Sequence, residues 1–184
     1  MKKFLSNPIV ALILTVIVVF GSTVINTRVR LGRQCDAVSE RFYSGSGSEA
    51  PIADSLRSLC SASEEILLLG MKYDVEDDGN TVAAIEQIRN ALGSGSTRAA
   101  SVYSDYQSLL KSTFSLESTL ARMSLGEADE SSYAASQHAA SDAKARIDAS
   151  SYNDTVRAFL KTNHRFPTPQ IAALSGVLLP EAFA

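Results

Sequence analysis

The residues of this 184-residue chain best suited to chemistry are two cysteines, two histidines and one acidic run. Cys35 and Cys60 are the thiols, and His138 and His164 the imidazoles. The acidic run is Asp74-Val75-Glu76-Asp77-Asp78-Gly79-Asn80. A Cys–His nucleophile pair needs the imidazole within hydrogen-bond reach of the sulfur, and no spacing here positions either histidine beside either cysteine. HExxH, CxxC, G-x-S-x-G and phosphate-cradling glycine loops do not occur. The acidic run follows a calcium loop in part, but the clamp position that should hold a bidentate Glu holds Ile85, with Glu86 one place late. It reads as a polar break, with Asn80 or Thr81 capping the helix that follows. Glu64-Glu65 reads as a solvated face and not as an acid–base pair. The chain is therefore expected to have no enzymatic activity, no catalytic residue, no cofactor and no metal.

The elements around these residues all read as helices. Pro8 to Ile25 is apolar except for Thr15, Ser22 and Thr23, and it carries no charge. At about 1.5 Å per residue such a run spans about 27 Å, close to a bilayer core. An uncleaved anchor over residues 8–26 is expected, since a signal peptide has a shorter apolar region and Val19-Phe20-Gly21 is only a passable cleavage site. Lys2 and Lys3 precede the span and Arg28, Arg30 and Arg33 follow it, so positive charge does not decide its orientation. Leu31, Cys35, Val38 and Phe42 step by four, three and four, which carries the helix on beyond the anchor. The Gly-Ser run from Ser44 to Ser48 breaks it. Ile52, Leu56, Leu59, Ile66 and Tyr73 form the next stripe. Thr81 to Leu92 reads as a short helix. Thr97 to Leu125 reads as a long one, with a seam at Val102, Tyr106, Leu109, Thr113, Leu116, Leu120 and Met123. The last helix is expected from Ser131 or Ser132 to about Arg165. Strand signals are missing. A net charge of −3 leaves no basic footprint for nucleic acid.

The two stripes that flank the Gly-Ser loop predict a helical hairpin. Cys35 lies eight residues before Tyr43 and Cys60 eight after Ile52, so both sit at one height beside the apolar seam. A Cys35–Cys60 disulfide fits that register if the Cα atoms come within about 7 Å. Two free buried thiols fit it as well, because sequence does not give helix rotation. A bridge would put the domain in an oxidising compartment.

Tyr152, Val156, Phe159, Asn163 and Phe166 step by four, three, four and three, a single helical stripe that Pro167 terminates. That pattern reads as a core stripe before it reads as a ligand site. The tail after it is apolar again, too short and too broken by Pro180 to span a membrane, and it is expected to fold over the helices. A membrane-surface or partner contact is its alternative role.

Tyr152-Asn153, Val156, Phe159 and Phe166-Pro167, followed by Ile171-Ala172 and Gly176, resemble the C-terminal signature of the LemA family. The chain departs from it at Ala149, at Phe159-Leu160 and at Arg41-Phe42-Tyr43, and it has no Trp. The resemblance implies one transmembrane helix followed by an antiparallel helical bundle, with no established activity, catalytic residues or cofactor.

The expected fold is all-α: a flank over residues 1–7, an anchor over 8–26, a bundle of about four long helices over 27–167 and an apolar tail packed on it over 168–184. The expected role is a single-pass scaffold or adaptor of the bacterial envelope, held in lipid by residues 8–26, with most of the chain extracytoplasmic. Its partner would be an envelope protein or a second copy. A tethered ligand- or ion-sensing domain is the alternative.

Overall fold

A computed structural model describes residues 8–47, 49–77, 80–94, 99–164 and 168–184. These residues are helical, with no strand among them. The helices are α1 (Pro8–Ser44), α2 (Ile52–Lys72), α3 (Asn80–Ser94), α4 (Ala99–Leu120), α5 (Glu127–Asp148), α6 (Tyr152–Asn163) and α7 (Thr168–Ser175). They belong to two compact bodies. One takes in α1 as far as Val38 together with Ala158–Leu179; the other comprises Ser39–Arg157 with Pro180–Ala184.

α1 is one unbroken helix of 37 residues, of which Pro8–Val38 belong to the first body. It is long and apolar enough to cross a membrane: an 18-residue window has mean hydropathy 2.6 and none of it is buried. Ile9, Leu12, Val18 and Phe20 are each about two-thirds exposed. Its hydroxyls turn inward onto its own backbone, as Thr15 donates to the Ala11 carbonyl at 2.8 Å and Thr23 to that of Val19 at 2.8 Å. Leu31, Cys35 and Val38 are buried, in the order their spacing predicts. The short helix α7 stops at Gly176, which has φ +66 and lets the Val177 N–H reach the Ala172 carbonyl at 3.2 Å. This is the left-handed helix stop for which glycine is best suited.

The second body is organised on α2, which packs against α3, α4 and α5, while α3 also packs on α4. Leu56, Leu59, Ile66, Ile88, Leu109 and Leu120 are almost fully buried there. Each contributes about 1.5–3 kcal/mol of hydrophobic stabilisation. Six of the seven α4 seam positions, Val102 to Leu120, are buried, and Met123 lies outside the helix at 38% exposure. Polar contacts fix the register: Ser63 with Thr113 (2.9 Å), Glu65 with Ser136 (2.6 Å), and Lys72 with Asp129 (2.7 Å).

α2 ends at an acidic residue rather than a glycine. Asp74 has φ +55, and the Val75 N–H closes on the Gly70 carbonyl at 2.9 Å. Val75 joins Ile66, Leu69, Leu116 and Leu120 in one apolar cluster, which holds the stop in place. The acidic run is thus a helix terminator. Asp77 continues it by accepting the Thr81 hydroxyl at 2.9 Å, so Thr81 serves as a fully buried bonding partner inside α3. Asp78 and Gly79 lie outside the described residues.

The single last helix expected from Ser132 to Arg165 is divided. α5 ends at Asp148, and Ala149 to Ser151 separate it from α6. Serine causes the break, because its short hydroxyl competes for backbone groups. Ser150 Oγ accepts the Tyr152 N–H at 3.3 Å. Glu49, on the loop after α1, accepts both the Ser151 N–H (3.2 Å) and its hydroxyl (2.7 Å). A carboxylate at a helix N-terminus satisfies free N–H groups and the local dipole. The Ser151 hydrogen bonds hold the Glu49 carboxyl below the usual carboxylate range.

Candidate functional site

The start of α6 carries the Tyr152-Asn153 pair, and these two side chains grip the end of the chain. The Tyr152 hydroxyl donates to the Glu181 carbonyl at 3.0 Å. Asn153 makes two bonds to one residue: its Nδ2 donates to the Phe183 carbonyl at 2.8 Å and its Oδ1 accepts the Phe183 N–H at 2.7 Å. A side-chain amide offers one donor edge and one acceptor edge, so it can match a peptide unit as a neighbouring strand would. Asn153 therefore reads backbone, whatever side chain the tail carries.

The side chain of Phe183 is read separately. It is 4% exposed and lies among Phe42 (centroids 5.8 Å apart), Tyr103 (5.1 Å) and Tyr106 (5.4 Å). Phe42 also stacks edge-on to Tyr152 at 5.5 Å and to Tyr43 at 5.2 Å. Edge-to-face pairs of this kind add about 0.5–1.5 kcal/mol each beyond area burial. Burial, followed by the Glu181 charge, pushes the Tyr152 phenol up to about 12. Burial likewise pushes Tyr106 up to about 12, ahead of the influence of Asp148. Both phenols stay neutral well above neutral pH. The hydroxyls of Tyr106 and Tyr43 are buried with no hydrogen-bond partner among the described residues.

The neighbouring described residues serve packing and termination. Val156 and Phe159 are buried on α6, and the Asn163 amide returns to the Phe159 carbonyl at 3.1 Å. Ile171 and Ala172 are buried on α7, and Gly176 ends that helix. Phe166 and Pro167 lie outside the described residues.

Cys35 and Cys60 are both free and both buried. Burial pushes the Cys60 thiol up to about 11, with Arg89 opposing. Such a thiol is a poor nucleophile. His138 is an exposed partner of Asp142 at 3.2 Å, and His164 contacts its own helix end at the Lys161 carbonyl. Glu64 and Glu65 are engaged separately, by Arg89 and by Ser136. Among the described residues no cluster of His, Cys, Asp and Glu is placed to hold a metal.

A second concavity, a groove of about 730 Å³, runs between α4 and α5 with Leu110, Phe114, Gln137, His138 and Lys144 on its walls. Phe114 stands 71% exposed beside it.

Phe183, Phe42, Tyr103 and Tyr106 are the residues that sequence reasoning did not assemble into a site. The one available signal was Phe183 itself, an isolated aromatic between two alanines at the end of an apolar tail. Comparisons with protein-family models, with curated proteins and with solved structures return no match for this chain.

Proposed function

We propose that this protein is a membrane-anchored, LemA-like helical bundle that acts as a scaffold or adaptor in the bacterial envelope and performs no chemistry of its own. The observation that carries the reading is α1. Its apolar stretch has mean hydropathy 2.6 with no part of it buried, a surface that water solvates poorly and lipid solvates well. In this reading residues 8–26 are the anchor, and the second body works outside the bilayer. Antiparallel packing of α2 and α5 is part of the proposal. It is supported by paired contacts whose numbers run in opposite directions, Lys72 with Asp129 and Glu65 with Ser136. Resemblance to the LemA signature rests on the same Tyr152-Asn153 pair that grips the tail.

Alkaline carbonate extraction of membranes that carry the full chain tests the anchor. Retention in the pellet, with residues 1–26 present by mass spectrometry, is the expected result. Release into the supernatant, or a mature terminus near Gly21, would sink the proposal. Sidedness is tested on the same membranes by protease added to sealed vesicles of known orientation, with protection of the second body expected in inside-out vesicles, which enclose the extracytoplasmic face.

A further inference from the structure

We propose that the cleft of Phe42, Tyr103, Tyr106, Tyr152 and Asn153 is a binding site for a short extended peptide with one aromatic residue. Its ligand is the Pro180–Ala184 segment of a second copy, taking the place that the same segment holds in cis in an isolated copy. Two observations meet there. Asn153 reads the Phe183 backbone through both its carbonyl and its N–H, at 2.8 and 2.7 Å. That pattern recognises an extended strand and sets no requirement on chain connectivity. The Phe183 ring fills an aromatic socket to 4% exposure.

The occupant follows from identity. A second copy carries the same Pro180–Ala184 segment, and the socket already accommodates that segment's ring and backbone. Exchange between copies then needs no new contact, only release of one tail and capture of the other. In cis the tail benefits from an effective concentration in the millimolar range, so isolated copies close on themselves. Crowding of copies brings the trans arrangement into play. The socket stands whether or not α1 crosses a membrane.

The test uses the full chain in detergent and exploits its lack of tryptophan. A donor chain carries Phe183→Trp with Asn153→Ala, so that its tail is fluorescent and its own cleft is weakened. An acceptor chain carries Phe183→Ala, which empties its aromatic socket while its own tail keeps only the backbone bonds to Asn153. On titration of acceptor into donor, the tryptophan emission should shift to the blue and a two-chain species should appear in sedimentation. An acceptor that also carries Asn153→Ala should bind about tenfold more weakly. A photo-crosslinking residue, p-benzoylphenylalanine, at position 183 of an otherwise unchanged chain guards against misfolding of the Phe183→Ala acceptor. Covalent dimers that increase with protein-to-detergent ratio support exchange. Crosslinks confined to single chains at every ratio, or no emission shift with acceptors of native circular dichroism, overturn it.

Discussion

The carboxamide of Asn153 meets the backbone of Phe183 at both of its ends, although the two residues stand 30 positions apart in the chain. Removal of that amide by Asn153→Ala should leave a part-buried N–H and carbonyl of the tail unpaired. The expected loss is about 1–3 kcal/mol of stability. Asn153→Asp should be worse, because a carboxylate would face the Phe183 carbonyl in place of the donor. Thermal denaturation followed by circular dichroism reads both, and melting temperatures equal to that of the parent would refute the clamp.

Ser63 and Thr113 form a hydroxyl pair at 2.9 Å, with the two residues 0% and 4% exposed. Thr113→Val keeps the shape and strands the Ser63 hydroxyl, with an expected cost of about 1–3 kcal/mol. Addition of Ser63→Ala should recover much of that loss, because both polar partners are then gone. A double-mutant cycle measured by denaturant unfolding gives the coupling directly. Strict additivity of the two changes would show the pair to be energetically silent.

Asp74 holds φ +55 at the end of α2, with a negative charge beside the helix C-terminus. Both features cost stability: left-handed backbone disfavours side chains that have a Cβ, and the dipole disfavours an anion there. Asp74→Gly should raise stability by up to about 1 kcal/mol. Asp74→Asn should gain part of that through removal of the charge. A lower melting point for the glycine variant would mean that the Asp74 side chain stabilises the stop in some way other than through φ.

Alkali should loosen the protein earlier than it ionises the buried groups of the folded state. Cys60 titrates near 11 when folded against an ordinary 9.0, and Tyr106 and Tyr152 near 12 against 10.0. All three groups are raised, so the folded state holds more protons than the unfolded state in the window between the two values. Their contribution is complete below about pH 9, declines as pH rises and is lost above about pH 12. Denaturant midpoints should therefore fall from pH 9 upward. Phenolate absorbance should show Tyr106 and Tyr152 ionising with unfolding and not before it. Maleimide should reach Cys60 at pH 8 only after denaturation, with no reductant needed.

Much of the helical pattern was open to reading from side-chain periodicity. The seam of α4 is legible because large apolar residues recur at four and three, and each such residue from Val102 to Leu120 is buried. α5 was harder: its inward face is Ser136, Ala140, Ala143 and Ile147, small residues that differ little from those on its exposed side. The break at Ser150-Ser151 was missed, since serine both sits in helices and ends them, and its effect here depends on Glu49 about a hundred residues earlier. Asn153 stands off the apolar stripe of its helix, and its bonds end on backbone atoms of Phe183. Backbone groups are the same at every position, so no pattern of letters announces which one a side chain will select.

Two glycines in the Gly-Ser loop share a left-handed backbone and face different futures under random substitution. Gly45 has φ +72, and a Cβ built on it would lie 2.4 Å from the Glu49 carbonyl and 3.2 Å from the Pro51 nitrogen. Gly47 has φ +63 and nothing within 4 Å. In a saturation library selected for folded protein, codon 45 should return glycine alone. Codon 47 should also return asparagine and aspartate, which tolerate that conformation. The loop that looks like uniform spacer in sequence therefore contains one position that drift cannot touch and, two residues on, one that it can.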